Sequence, residues 1–167
     1  MSSQENSVSG LGGKYLTFRI GQEEYGVEVM KIREIIALME ITHVPKAPDF
    51  IRGVINLRGR IIPVVELRKK FGMPSIPDTA RTCIIVADVM LGDHPVSIGL
   101  LVDSVSSVLD IEAKDIEPSP EYSANIHSEF ILGMGKVSGQ LKILLNIERV
   151  LSVEDMGAVH HAAAQAA

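Results

Sequence analysis

At 167 residues with 46% hydrophobic side chains, the chain can fill one compact core or two small lobes sharing one, and it is too short for several enzymes in series. Its formal net charge of -5, with basic residues scattered along the length, leaves no cationic stripe to displace counterions from a nucleic-acid backbone. The longest apolar runs, Ile84-Ile85-Val86-Ala87 and Ile143-Leu144-Leu145, have strand length and fall well short of the roughly 20 residues that cross a bilayer.

Met1 to Lys14 is polar, rich in Ser and Gly, and lacks the charged-then-apolar order of a secretory signal, which predicts a flexible tail over residues 1–13 of a cytoplasmic protein. From Tyr15 onward, short alternating or continuous apolar runs bounded by Gly, Pro and Asp predict strands rather than helices. Strands are expected at 15–20, 24–29, 32–36, 53–57, 61–65, 83–89, 95–102, 105–109, 133–137 and 141–145. Arg58-Gly59 and Ser138-Gly139 each separate two such runs, so each is expected to close a hairpin with glycine at positive φ. Helical signals are few: a turn over 48–52, a short piece over 66–71 stopped by Gly72, and a C-terminal segment that Ser152 would cap. The Ala-rich end, 157–167, has good helix propensity but little to bury, and is expected to be a helical or disordered tail.

Sliding the chain against itself exposes an internal repeat. At a shift of 80, Phe50-Ile51-Arg52-Gly53 meets Phe130-Ile131-Leu132-Gly133, Gly59 meets Gly139, and Ile61, Val64, Val65 and Leu67 meet Leu141, Leu144, Leu145 and Ile147. At a shift of 73, Gly26, Val27, Val29, Ile32 and Ile35 meet Gly99, Leu100, Val102, Val105 and Val108. The expected fold is therefore mainly β: two pseudo-duplicated five-stranded barrels, about five strands per half, packed through an apolar seam, with short helices.

No catalytic constellation accompanies this pattern. Gly135-Lys136 is followed by Val137 and lacks the earlier glycine of a phosphate loop, and Gly133, Gly135 and Gly139 miss the dinucleotide spacing. His43, His94 and His127 are isolated, and with one cysteine there is no pair at zinc-ligand spacing. Cys83 sits in a β-branched run, where a small buried hydrophobe in a reducing compartment is expected rather than a nucleophile. Asp88, Asp93, Asp103 and Asp110 do not cluster as in a phospho-accepting receiver domain. No cofactor or metal is expected, and a binding module is favoured over an enzyme. Ile32-Arg33-Glu34-Ile35 mixes apolar and charged residues as a half-exposed strand does, and Arg58 at a hairpin tip is placed to meet a partner's carboxylate.

Several segments resemble the CheW family: Tyr25-Gly26-Val27-Glu28-Val29, Lys31-Ile32-Arg33-Glu34-Ile35, Phe50-Ile51-Arg52-Gly53-Val54-Ile55-Asn56-Leu57-Arg58-Gly59, and Ile62-Pro63-Val64-Val65-Glu66-Leu67-Arg68. Gly99-Leu100-Leu101-Val102-Asp103-Ser104-Val105 and Leu144-Leu145-Asn146-Ile147-Glu148 extend the similarity over residues 14–156. The resemblance implies a pair of five-stranded barrels and a non-enzymatic adaptor that couples the cytoplasmic hairpin tips of methyl-accepting chemotaxis proteins to the regulatory domain of the histidine kinase CheA. It implies a receptor-facing groove at Ile32, Glu34, Ile35, Arg58, Gly99, Val105 and Val108, and kinase contacts at Glu117, Glu121 and Tyr122. Glu117 departs from members that carry a basic residue there. Localisation would be cytoplasmic, with recruitment to membrane-associated receptor arrays. Two other readings stay open: an adaptor of the same fold in a non-flagellar chemosensory pathway, and a small β-barrel enzyme or ligand-binding protein whose site is assembled from distant residues.

Overall fold

A computed structural model of the chain describes residues 10–118, 128–152, 154–157 and 159. In chain order the elements are β1 (Gly13–Ile20), β2 (Glu23–Glu28), β3 (Ile32–Ala37), β4 (Ile51–Leu57), β5 (Arg60–Glu66), α1 (Leu67–Lys70), β6 (Cys83–Leu91), β7 (His94–Val102), β8 (Ser104–Ile111), β9 (Ile116–Glu117), β10 (Ile131–Val137) and β11 (Gln140–Leu145). All ten expected strands are present, with ends within two residues of expectation. The eleventh, β9, is two residues long and too short for any periodic signal.

The strands form two sheets, ordered β8-β1-β2-β11-β10-β9 and β3-β6-β7-β5-β4. This corrects the expectation that each half of the repeat builds its own lobe. The first lobe takes β1 and β2 from the first half and β8 to β11 from the second, while the second lobe takes β6 and β7 from the second half and β3 to β5 from the first. The halves therefore exchange a hairpin reciprocally. Of the four pairings that join the halves, β1 with β8 and β3 with β6 are antiparallel, while β2 with β11 at Gly26↔Leu144 and β7 with β5 at Gly99↔Val64 are parallel, and these two coincide under the two shifts of the repeat.

Local detail repeats as faithfully. Both hairpin tips carry positive φ at both central residues, 54° and 87° at Arg58-Gly59 and 51° and 79° at Ser138-Gly139, as type I′ turns demand. A register shift falls between Ile51 and Gly53 in one copy and between Ile131 and Gly133 in the other. There, Thr42 bridges Val54 as Glu117 pairs with Met134, and these contacts bring each chain past the β-hairpin of its own lobe. The approach is so close that a Cβ on Gly53 would lie 2.1 Å from the Thr42 carbonyl oxygen, and one on Gly133 would lie 2.8 Å from that of Glu117.

Three apolar clusters explain why the strands read as unbroken hydrophobic runs. Ile55, Ile62, Val64, Ile84 and Val86 fill the second lobe, and Tyr15, Ile111, Ile116 and Leu144 fill the first. The third and largest lies in the seam and draws Phe18, Tyr25 and Val27 from one lobe and Ile85, Ala87, Ile98 and Leu100 from the other. Neighbouring residues of β6 thus alternate between lobe interior and seam, both of them dry, so no polar partner appears between them. All four phenylalanines, Phe18, Phe50, Phe71 and Phe130, belong to the seam region, and three of them join Tyr25 in a row, Phe18, Tyr25, Phe71, Phe130, at ring distances of 5.6 to 6.3 Å. Lys70 at the end of α1 lies 3.9 Å from the centre of the Phe50 ring and 5.3 Å from that of Phe130, so the repeated phenylalanines converge on one ammonium.

The predicted turns and helices are present in short form. Ile51 N–H donates to the Pro48 carbonyl, and α1 ends before Gly72 at φ 75°. At the C-terminal helical segment, Ser152 Oγ accepts from Asp155 N–H while Asp155 Oδ2 accepts from Ser152 N–H, a reciprocal cap. Met156 and Val159 bury themselves in the seam beyond it.

Candidate functional site

The two edge strands β3 and β8 occupy equivalent places in the two sheets, and a bulge at the same point of each decides where their side chains go. Register skips Arg33 in β3 and Ser106 in β8. An extra residue rotates everything after it to the other face. Ile32 and Val105, before the bulge, pack on the seam cluster, whereas Ile36 and Leu109, after it, pack into the second and first lobe interiors. Ile35 and Val108 are thereby turned outward, and both are exposed large apolar residues. Burial of isolated aliphatic groups at matched positions on both edge strands is what an external apolar surface would complete.

Arg58 and Glu34, expected as separate contributors to a groove, are each other's partner. The Arg58 Nη2 lies 2.5 and 2.6 Å from the two carboxylate oxygens of Glu34, with Arg58 69% and Glu34 27% exposed. The positive φ at Arg58 aims the side chain back across β3, and Asn56 Oδ1 secures the turn by accepting from Gly59 N–H. Beside this pair runs a second polar chain over β3, β6, β7 and β5: Arg33 donates to Asp88, Ser97 donates to Asp88, and Arg60 donates to Ser97. The outer face next to Ile35 is therefore a fixed lattice of charge rather than a set of free side chains.

Gly99 is buried within the second sheet. A Cβ there would meet Ile84 Cγ2 of β6 at 2.8 Å, while Val64 Cγ2 of β5 at 3.5 Å is in ordinary contact range, so the missing Cβ makes room for the Ile84 side chain. Glu117, the described member of the kinase-facing set, is exposed on β9 and pairs with Lys136 at 2.6 Å. Glu121 and Tyr122 lie outside the described residues.

Sequence reasoning missed one polar centre. Asp103, between β7 and β8, accepts from Arg68 Nε at 3.0 Å, from Arg68 Nη2 at 2.6 Å and from Gly21 N–H at 2.8 Å. Burial alone would raise the Asp103 carboxyl, but the Arg68 hydrogen bonds, the Gly21 amide and the guanidinium charge together hold it below the ordinary carboxylate value. The repeat gives no sign of it, since it sets Asp103 opposite Met30 and Arg68 opposite Glu148.

Reactive chemistry finds little support. Burial pushes the Cys83 thiol up against the small opposing pull of the Val105 amide, the reverse of an activated nucleophile. Among the described residues no group of three His, Cys, Asp or Glu side chains is placed to hold a metal ion. A polar cleft lined by His43, Asp49, Arg52, Glu66, Lys69 and Ser75 has its charges tied off: Arg52 to Asp78 at 2.9 Å, Ser75 to Glu66 at 3.0 Å and Lys69 to Asp49 at 3.7 Å. No helix among the described residues is long and apolar enough to cross a membrane.

Fold and surface together define a two-lobed β protein with hairpins exchanged across an apolar seam and paired, matched edge strands. The family model of the CheW-like domain matches residues 14–155, and the chain belongs to that family. It is 38% identical over 153 residues to the chemotaxis protein CheW of Klebsiella aerogenes, covering 92% of this chain and 90% of that one. It is 33% identical to the chemotaxis protein CheW of Rhizobium meliloti, covering 93% and 97% of the two chains. Among solved structures, the scaffolding protein TtCheW from Thermoanaerobacter tengcongensis superposes with a TM-score of 0.77 at 31% identity, covering 86% of this chain and 90% of the other.

Proposed function

We propose that the chain is a chemotaxis adaptor that holds the cytoplasmic hairpin tips of methyl-accepting chemotaxis proteins against the regulatory domain of the histidine kinase CheA, without catalysis of its own. The observation that carries this reading is the family match across residues 14–155, joined by relatives named as chemotaxis proteins over nearly their full length. The domain is taken as 14–156, and the packed chain reaches a little past those bounds, with Gly13 opening β1, Leu11 packed on the first-lobe cluster and Val159 buried in the seam. The adaptor works in the cytoplasm and is recruited to membrane-associated receptor arrays.

A receptor hairpin tip offers an amphipathic helical face, and the surface around Ile32, Glu34, Ile35, Arg58, Val105 and Val108 suits it. The exposed Ile35 and Val108 supply apolar area to bury, and the Glu34–Arg58 pair supplies a fixed dipole that sets register. Gly99 acts indirectly, through the room it leaves for the Ile84 side chain of β6. The kinase contacts are assigned to Glu117, Glu121 and Tyr122, away from the receptor-facing set in the sequence. Passing receptor state to the kinase requires different affinities for the receptor's signalling states.

The test is co-sedimentation of the protein with receptor fragments and CheA, read by kinase activation. Arg58→Ala should shift Tm by less than about 3 °C, because an exposed ion pair contributes only about 0–1 kcal/mol, yet it should weaken capture. Ile35→Asp and Val108→Asp should each impair pull-down of a receptor fragment. Folded variants that bind normally would move the groove elsewhere, and a wild-type protein indifferent to both receptor and kinase would end the adaptor reading.

A further inference from the structure

Hairpin exchange leaves the chain crossing between lobes twice within its strands, once from β2 to β3 and once from β7 to β8, and the repeat makes these crossings equivalent. Their fastenings are not. At the β7–β8 crossing Asp103 takes both arms of the Arg68 guanidinium and the Gly21 amide, with the two side chains only 23% and 13% exposed, and its own N–H donates to the Arg19 carbonyl. Arg68 follows β5 in the second lobe while Gly21 and Arg19 belong to the first, so this one carboxylate ties lobe to lobe.

At the β2–β3 crossing the position of Asp103 is held by Met30, which is 97% exposed and holds nothing. Glu148 stands where Arg68 stands in the other copy, and it is met from the neighbouring position by Lys31, with Glu28 3.8 Å away on the other side of the ammonium. The charges are reversed, the planar two-armed contact becomes a single ammonium contact, and the side chains are 29% and 36% exposed. An ion pair of that kind is screened by solvent, whereas a more buried bidentate pair with a backbone donor is geometrically more rigid.

We propose that the molecule is hinged asymmetrically: the lobes pivot on the β7–β8 crossing, and the β2–β3 crossing is the one that gives. The shared seam cluster limits the motion to a small shear of one lobe on the other. Because β3 belongs to the second lobe and β8 to the first, that shear moves Ile35 relative to Val108. The two sides of the surface are thus movable with respect to each other, and a ligand that spans them holds the hinge at one setting. This last step rests on the adaptor reading; the hinge itself does not.

Hydrogen exchange on the full chain tests it. In the wild-type protein, amides of residues 29–32 should exchange at least about tenfold faster than those of residues 102–105. Asp103→Asn should raise exchange at 102–105 toward the level of 29–32, whereas Lys31→Met should raise it at 29–32 alone. Equal protection of the two crossings in the wild type overturns the proposal, and so does a folded Asp103→Asn protein with 102–105 unchanged. If that variant fails to fold, the wild-type comparison still decides. A receptor hairpin fragment that binds should slow exchange at 29–32; a bound fragment that leaves 29–32 unchanged removes the coupling step. A fragment that does not bind counts against the adaptor reading, and the hinge then stands or falls on the free protein.

Discussion

At the scale of single residues, the glycines at the closing bridges make the sharpest demand. Alanine at Gly53 would set a methyl 2.1 Å from the backbone oxygen of Thr42, which only movement of the main chain relieves, and alanine at Gly133 would meet Glu117 at 2.8 Å. Overpacking typically costs about 1–3 kcal/mol. Gly53→Ala is expected at or beyond the top of that range and Gly133→Ala below it, as urea midpoints at a common m-value will show. A Gly133→Ala protein less stable than Gly53→Ala would contradict the geometry. Much at this scale was legible in the sequence, since the turn glycines and their spacing were enough to place both hairpins. The pairing of Arg58 with Glu34 was not, because the partners are 24 residues apart and a tip arginine gives no sign of which strand it will fold back on. The same holds for Asp103, whose partners lie 35 and 82 residues away.

At the scale of elements, strand existence was readable and strand partnership was not. Runs such as Ile84-Ile85-Val86-Ala87 state that both faces of β6 are dry, but they do not say which face meets which lobe. Two faces buried in different cores predict that adjacent truncations cost alike. Ile84→Ala and Ile85→Ala should each destabilise by about 2–5 kcal/mol in chemical unfolding, whereas a one-sided strand would show one large effect beside one small one. The bulges at Arg33 and Ser106 were equally hidden, since an unpaired residue shows only when the partner strand is known. They decide the candidate surface, for without them Ile35 and Val108 would point inward. The repeat, by contrast, aligned these two residues before any pairing was known.

At the scale of the whole molecule, two half-buried carboxylates, Asp103 and Glu24, set the response to acid. Asp103 is lowered on balance against its burial, and Glu24 is lowered chiefly by its hydrogen bond to the buried Lys142, helped by Ser106 and Arg19. A carboxylate whose folded-state pKa lies below its unfolded value stabilises fully above the unfolded value and loses that contribution as pH falls through the folded one. Stability should therefore hold down to about pH 5, decline through the ordinary values of 4.5 for Glu and 3.8 for Asp, and continue to fall below them. Asp103→Asn should flatten the lower part of that curve in thermal melts recorded across pH. Hairpin exchange makes a second demand on the whole chain: neither half contains a complete sheet. A single cut in the exposed stretch between Gly72 and Thr82 should leave a folded two-fragment complex at micromolar concentration, with each purified fragment unfolded when alone, as circular dichroism will report.

The same topology is what two identical chains would adopt if each lent a hairpin to the other, and such a pair would fall apart on dilution. The eleven residues from Gly72 to Thr82 remove that dependence. They act as a tether that presents each half to its counterpart at an effective concentration on the order of millimolar, whatever the bulk concentration. Assembly becomes a first-order event, and the symmetry of a dimer is kept while its two copies are left free to diverge, one toward arginine and aspartate at its crossing and the other toward lysine and glutamate.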